Sequence, residues 1–148
     1  MILRGVILSV VLGSGVFSAL PVAAEDSKQN SDKAVAAAKT ILGLVSANKL
    51  NTLWEKHVSA WYKTKVAQSV FFENLSFGRS QVGGAPLSAA VQNMTYSTGE
   101  QGITGDVYAV TFETKYATGK FYERIVVFKE PDGEFRLVGL FGTPAPRD

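Results

Sequence analysis

Residues 107–141 read VYAVTFETKYATGKFYERIVVFKEPDGEFRLVGLF, and the period of this stretch decides the fold. Tyr108, Val110, Phe112 and Tyr116 alternate with Ala109, Thr111, Glu113 and Lys115. A period of two is that of a strand with one apolar and one polar face. Ala117-Thr118-Gly119-Lys120 then makes a hairpin turn. Phe121 to Lys129, with the β-branched run Ile125-Val126-Val127, is the next strand. Glu130-Pro131-Asp132-Gly133 is the clearest turn in the chain, because proline presets φ and glycine accepts a positive φ. Phe135 to Phe141 is the last strand. Simple alternation puts Phe135, Leu137, Gly139 and Phe141 on one face, read as buried. Tyr108, Phe112, Tyr122, Arg124 and Phe128 are read as sharing a face across the hairpin.

Working outward toward the N-terminus, Val91 to Ser97 is a further strand that begins near Leu87. Glu100 to Gly105 is the turn that follows it. Before that the period lengthens. Ala34, Ala38, Ile41, Leu42 and Val45 recur at helical spacing, with Ser31 and Asp32 as caps and Asn48 as the break. A second helix is read from Asn51 to Tyr62, with Leu50, Leu53, Trp54, His57, Val58 and Trp61 on one side. A third is read from Lys65 to Phe77, capped by Thr64. Gly78, Gly83, Gly84 and Pro86 close the helical half. Helices followed by a run of strands give an α+β fold, with N-terminal helices packed on a four-stranded antiparallel β-meander.

The first residues carry a different signal. Arg4 precedes an apolar run from Gly5 to Leu20, and Val22 and Ala24 are small residues before a cleavage point. This is the order of a secretory signal, so the expectation is a signal peptide over 1–24 and a periplasmic or secreted product. A retained membrane anchor is the weaker reading, since Gly13, Ser14, Gly15 and Ser18 interrupt the run. Residues 25–30 read as a flexible leader, 31–142 as one α+β domain and 143–148 as a tail. The chain has no cysteine, which excludes disulfides and thiolate metal sites. Beyond Ala24 acids and bases nearly cancel, so no electrostatic footprint for nucleic acid exists.

Several features spread over the chain carry a resemblance. They are the alanine-rich first helix leading to Leu44-Val45, the polar break before Leu53-Trp54, and Gly78-Arg79 followed by Val82-Gly83. The hairpin strands Val107 to Tyr116 and Phe121 to Lys129 follow, with Glu123 leading the second. The most specific part is Asp132-Gly133-Glu134-Phe135-Arg136-Leu137-Val138-Gly139-Leu140-Phe141. On these residues the stretch from Ala34 to Gly142 resembles a bacterial exported family catalogued as a domain of unknown function, number 4019. Phe135 stands where that family usually has tryptophan, and Gln81-Val82 where it tends to have proline and leucine. The resemblance implies a cone-like fold similar to those typified by nuclear transport factor 2. It implies no activity, cofactor or catalytic residue.

The residues themselves offer few chemistries. His57 is the single histidine, and helical spacing from Trp54 and Trp61 would put all three on one face. That is an imidazole in an aromatic pocket, or a structural histidine beside core tryptophans; the lack of an obvious partner favours the structural reading. No metal site and no cofactor are expected, because histidines cannot pair and acids are scattered. Gly78 to Gly84 lacks the phosphate-loop pattern and reads as a helix stop. Candidate ligand-binding residues are Trp54, His57, Trp61, Arg79, Tyr108 and Arg124, the arginine also readable as a brace at the core rim. Two functions stay open. One is a non-catalytic exported module that binds a protein or an envelope component. The other is a small-molecule binder or enzyme that uses a pocket between the helices and the sheet. A polar-lined cavity favours the second.

Overall fold

The computed structural model describes residues 27–100 and 102–147, Glu100 by its backbone only. The expected signal peptide and its cleavage point lie outside the described residues. The chain divides into two compact units, 1–33 and 34–148. In the first, residues 27–33 are helical, including 27–30 of the expected leader. Lys28 Nζ pairs there with Asp32 at 2.8 Å, at the spacing of one helical turn.

The second unit begins with helix α1, over 34–46. Its buried residues are Ala34, Ala38, Ile41, Leu42 and Val45, the face that helical spacing predicts. Asn48 ends the run at φ 55°, a conformation asparagine tolerates. Helix α2 is Leu50–His57, α3 is Ala60–Lys65 and α4 is Gln68–Val82. The single helix expected over Asn51 to Tyr62 is therefore two. Val58 extends and forms a parallel bridge to Leu137, and Ser59 N–H donates to the Leu137 carbonyl at 2.9 Å. Ser59 Oγ then accepts from Tyr62 N–H at 3.0 Å and caps α3. Pairing with the sheet edge outweighs helix continuity here. The expected third helix is also shifted: α4 starts after Ala67, passes through Gly78 and stops at Gly83, which holds φ 68° as a left-handed cap.

The strands are β1 (Ser88–Glu100), β2 (Ile103–Tyr116), β3 (Gly119–Lys129) and β4 (Phe135–Pro144). They lie in the order β1-β2-β3-β4, every pair antiparallel. The fold is α+β, as the order of periods predicts. The first turn is shorter than expected, with β2 already under way at Ile103, and β4 reaches into the expected tail.

One sheet face meets the helices. Tyr108, Val110, Phe112, Ile125, Val127, Phe135 and Leu137 form the main core there with α1 residues, Leu53 and Phe71. Two corrections to the strand faces follow. Tyr108 pairs with Val127 and Phe112 with Glu123, so Tyr122, Arg124 and Phe128 point to the opposite face. A bulge opposite Val126 and Val127 inserts Val138, and Gly139 and Phe141 leave the face that Phe135 and Leu137 occupy. Phe141 is 51% exposed, while Phe135 and Leu137 are buried. The second face carries a smaller cluster of Ile103, Val107, Ala109 and Val126, against which Trp61 packs. Strand β1 is an edge whose inner residues stay open: Val91, Met94 and Tyr96 are all exposed.

A polar knot fixes the helices to the far turn. Arg136 Nη1 pairs with Glu130 and with Asp132, each at 2.8 Å. Glu130 Oε1 accepts from Ala60 N–H at 2.8 Å. The β3–β4 turn thereby holds the start of α3 and sets where Tyr62 lies.

Candidate functional site

A cavity of about 610 Å³ lies between α4 and the inner face of β3 and β4. Its cause is legible in the residues. Gly78 of α4 and Gly142 of β4 both line it, and a Cβ built at either meets no atom within 4 Å. Neither glycine puts a side chain into the space between the two walls, and the cavity opens to solvent at its rim, where Phe77 is 69% exposed. Helix α4 adds Phe71, Leu75 and Phe77, and α3 adds Tyr62. Phe121 of β3 and Leu140 and Pro144 of β4 form the opposite wall. The volume is within the range of small-molecule sites.

Two opposite charges line this apolar space: Arg79 and Glu123. Each is held by neutral partners. Glu123 Oε2 accepts from the Thr114 hydroxyl at 2.6 Å and Oε1 from the Tyr116 hydroxyl at 2.8 Å. Arg79 Nη2 donates to the carbonyls of Gly84 at 2.9 Å and Ser46 at 3.3 Å. The Arg79 guanidinium also lies 5.9 Å over the Tyr116 ring, and its buried Nη1 has no hydrogen-bond partner. A ring face is a weak acceptor, so that nitrogen keeps donor capacity. Burial, followed by the bond to Glu123, pushes the Tyr116 phenol far above its ordinary value; Arg79 opposes the shift. Tyr116 therefore stays a donor at neutral pH.

Of the six residues singled out from the sequence, Arg79 lines the cavity. The break at Val58-Ser59 scatters the rest of the expected aromatic face. Trp54 packs on Phe71 at 5.3 Å, with Lys63 Nζ 5.5 Å over its ring. Trp61 belongs to the cluster on the other sheet face. His57 ends α2 half-buried, and burial, then the charges of Arg136 and Lys56, lower its pKa. Tyr108 is buried in the core, 5.6 Å from Phe135, and burial raises its pKa. Arg124 points away from the helices, in register with Thr111 and Phe141.

Glu123, Tyr62, Phe77 and Phe121 are among the lining residues that the candidate ligand-binding set did not include. A signal for Glu123 exists. A two-residue turn at Ala117-Thr118 pairs Tyr116 with Gly119, and counting back from there sets Glu123 opposite Phe112 and facing inward. An acid on an otherwise apolar inner face then stands out. Among the described residues no group of three or more His, Cys, Asp or Glu side chains is placed to hold a metal. No described helix is long and apolar enough to cross a membrane.

The fold and cavity define a class: an α+β domain with helices over one face of an antiparallel meander and an amphipathic cavity between the two layers. The family model described as "Protein of unknown function (DUF4019)" matches residues 37–140. That is most of the chain, and the chain belongs to this family. No curated protein and no solved structure matches it.

Proposed function

We propose that this protein is an exported, non-catalytic binding domain whose ligand is a small, largely apolar molecule held in the α4–sheet cavity. The observation that carries the reading is the cavity itself, about 610 Å³, lined mainly by apolar side chains and faced by Gly78 and Gly142. Apolar lining left facing water costs free energy that a bound apolar molecule recovers by covering it. The non-catalytic part rests on the polar groups present. The Glu123 carboxylate is held by the Thr114 and Tyr116 hydroxyls, and His57 is outside the lining. Among the described residues the lining contains no serine, threonine, cysteine, lysine or histidine to serve as a nucleophile or its base. Export rests on the N-terminal pattern of Arg4, the apolar run and Ala24.

The test uses N-phenyl-1-naphthylamine, a neutral apolar dye that brightens on leaving water. Titration into the folded domain should give saturable binding. Gly78→Trp puts an indole into the cavity, and this variant should melt at or above the parent and bind the dye at least about tenfold more weakly. Equal binding by a stably folded Gly78→Trp would refute the cavity as the site. Export is tested separately: the mature secreted protein should begin at Glu25 by mass, and retention of Leu3 to Leu20 would refute it.

A further inference from the structure

We infer that the cavity selects ligands with an uncharged head group that both donates and accepts a hydrogen bond, an aliphatic alcohol or primary amide, over anionic or cationic analogues of equal length. This rests on the reading of the cavity as a binding site and adds what it discriminates. The lining holds one guanidinium, Arg79, and one carboxylate, Glu123. Carbonyls of Ser46 and Gly84 hold the first, and hydroxyls of Thr114 and Tyr116 hold the second. Both groups therefore sit among mainly apolar lining residues, where charge–charge effects are larger than in water.

Consider what enters. An anion gains from Arg79 and is repelled by Glu123, and a cation the reverse. Either ion also gives up its hydration to reach a wall of Phe71, Leu75, Val82 and Leu140. With opposite charges lining one small space, attraction and repulsion largely cancel, and desolvation of the ion is left as a net cost. A neutral hydroxyl pays little desolvation. Its oxygen can accept from Arg79 and its proton can go to a free lone pair of Glu123, since a carboxylate has about four acceptor positions and two are used. The site thus offers a donor and an acceptor together, and a head group with both roles meets each.

The experiment displaces N-phenyl-1-naphthylamine with decanol, decanoate and decyltrimethylammonium, each below its micellar range, on the parent, Glu123→Gln and Arg79→Met proteins. The parent should be displaced by decanol at about tenfold lower concentration than by either ion. Glu123→Gln should raise the affinity for decanoate toward that of decanol and leave decyltrimethylammonium poor. Arg79→Met should do the reverse. If Arg79→Met fails to fold, as the loss of its two carbonyl bonds permits, Glu123→Gln alone decides, because it keeps the size of the side chain. Dye binding with the ions displacing as well as decanol would overturn the inference while the cavity stands. Unchanged head-group preference in a folded Glu123→Gln would also overturn it. A dye that does not bind the parent at all would sink the cavity reading itself, and this inference with it.

Discussion

Tyr116 and Glu123 are joined by a hydroxyl–carboxylate hydrogen bond of 2.8 Å that crosses the β2–β3 hairpin diagonally, since the register partner of Glu123 is Phe112. The bond holds the carboxylate against the sheet and keeps it in the cavity wall. Tyr116→Phe removes the donor and should cost about 1 kcal/mol in chemical denaturation. The folded pKa of Tyr116 is raised, so its contribution is present below the unfolded value of about 10 and is lost as pH rises above it. Tyr116→Phe should therefore also remove part of the alkaline loss of stability. An identical alkaline profile in the variant would mean the phenol is not held as described.

Gly78 gives a prediction of opposite sign. It lies inside α4, and a Cβ there meets no atom within 4 Å. Gly78→Ala should stabilise the domain by about 0.5–1 kcal/mol through helix propensity alone. Gly83→Ala should destabilise it, because φ is 68° and Thr118 Cγ2 is 3.1 Å from the new carbon. Urea unfolding of the two variants checks both. A loss of stability in Gly78→Ala would show that the space beside α4 is already filled.

The bulge in β4 predicts a sharp contrast between two phenylalanines. Phe135 is buried edge-on to Tyr108 at 5.6 Å, and Phe135→Ala should cost about 3–5 kcal/mol. Phe141, past the bulge and 51% exposed, should cost under about 1 kcal/mol when truncated. Thermal melting of both variants decides it. Comparable costs would restore the unbroken alternation that the strand pattern suggests.

That contrast shows what the sequence made legible. The α1 face from Ala34 to Val45 was readable because five apolar residues keep one helical stripe and nothing competes with it. The meander was readable because Gly119 and Gly133 mark its turns and the β2 residues alternate. Faces were harder. A bulge depends on how β4 fits β3, and no single residue near Val138 announces it. The split of the expected Trp54-His57-Trp61 helix has the same origin: Val58 and Ser59 pair with Leu137, far away in sequence. The cavity was the least legible feature. Gly78 read as a helix stop, and only the packing of α4 over Gly142 turns both glycines into open volume.

His57 offers a test by pH. Burial, then Arg136 and Lys56, depress its folded pKa. The unfolded chain thus binds a proton more readily, and the neutral imidazole contributes fully above about pH 6.5. Stability should fall as pH drops below that value toward the folded pKa. His57→Gln should flatten this part of the profile, with little change above pH 7 and with dye binding intact. Loss of dye binding in a folded His57→Gln would give the residue a ligand role that its position outside the cavity denies.

The most direct test of the cavity is a map of where a ligand touches. Decanol titrated into isotope-labelled protein should shift the backbone amide resonances of Gly78, Phe121 and Gly142, on the two walls of the cavity. The amides of Val91, Met94 and Tyr96, on the open inner side of edge strand β1, should stay still. Shifts confined to β1, with Gly78 and Gly142 unmoved, would contradict the account and move the binding surface to the sheet edge.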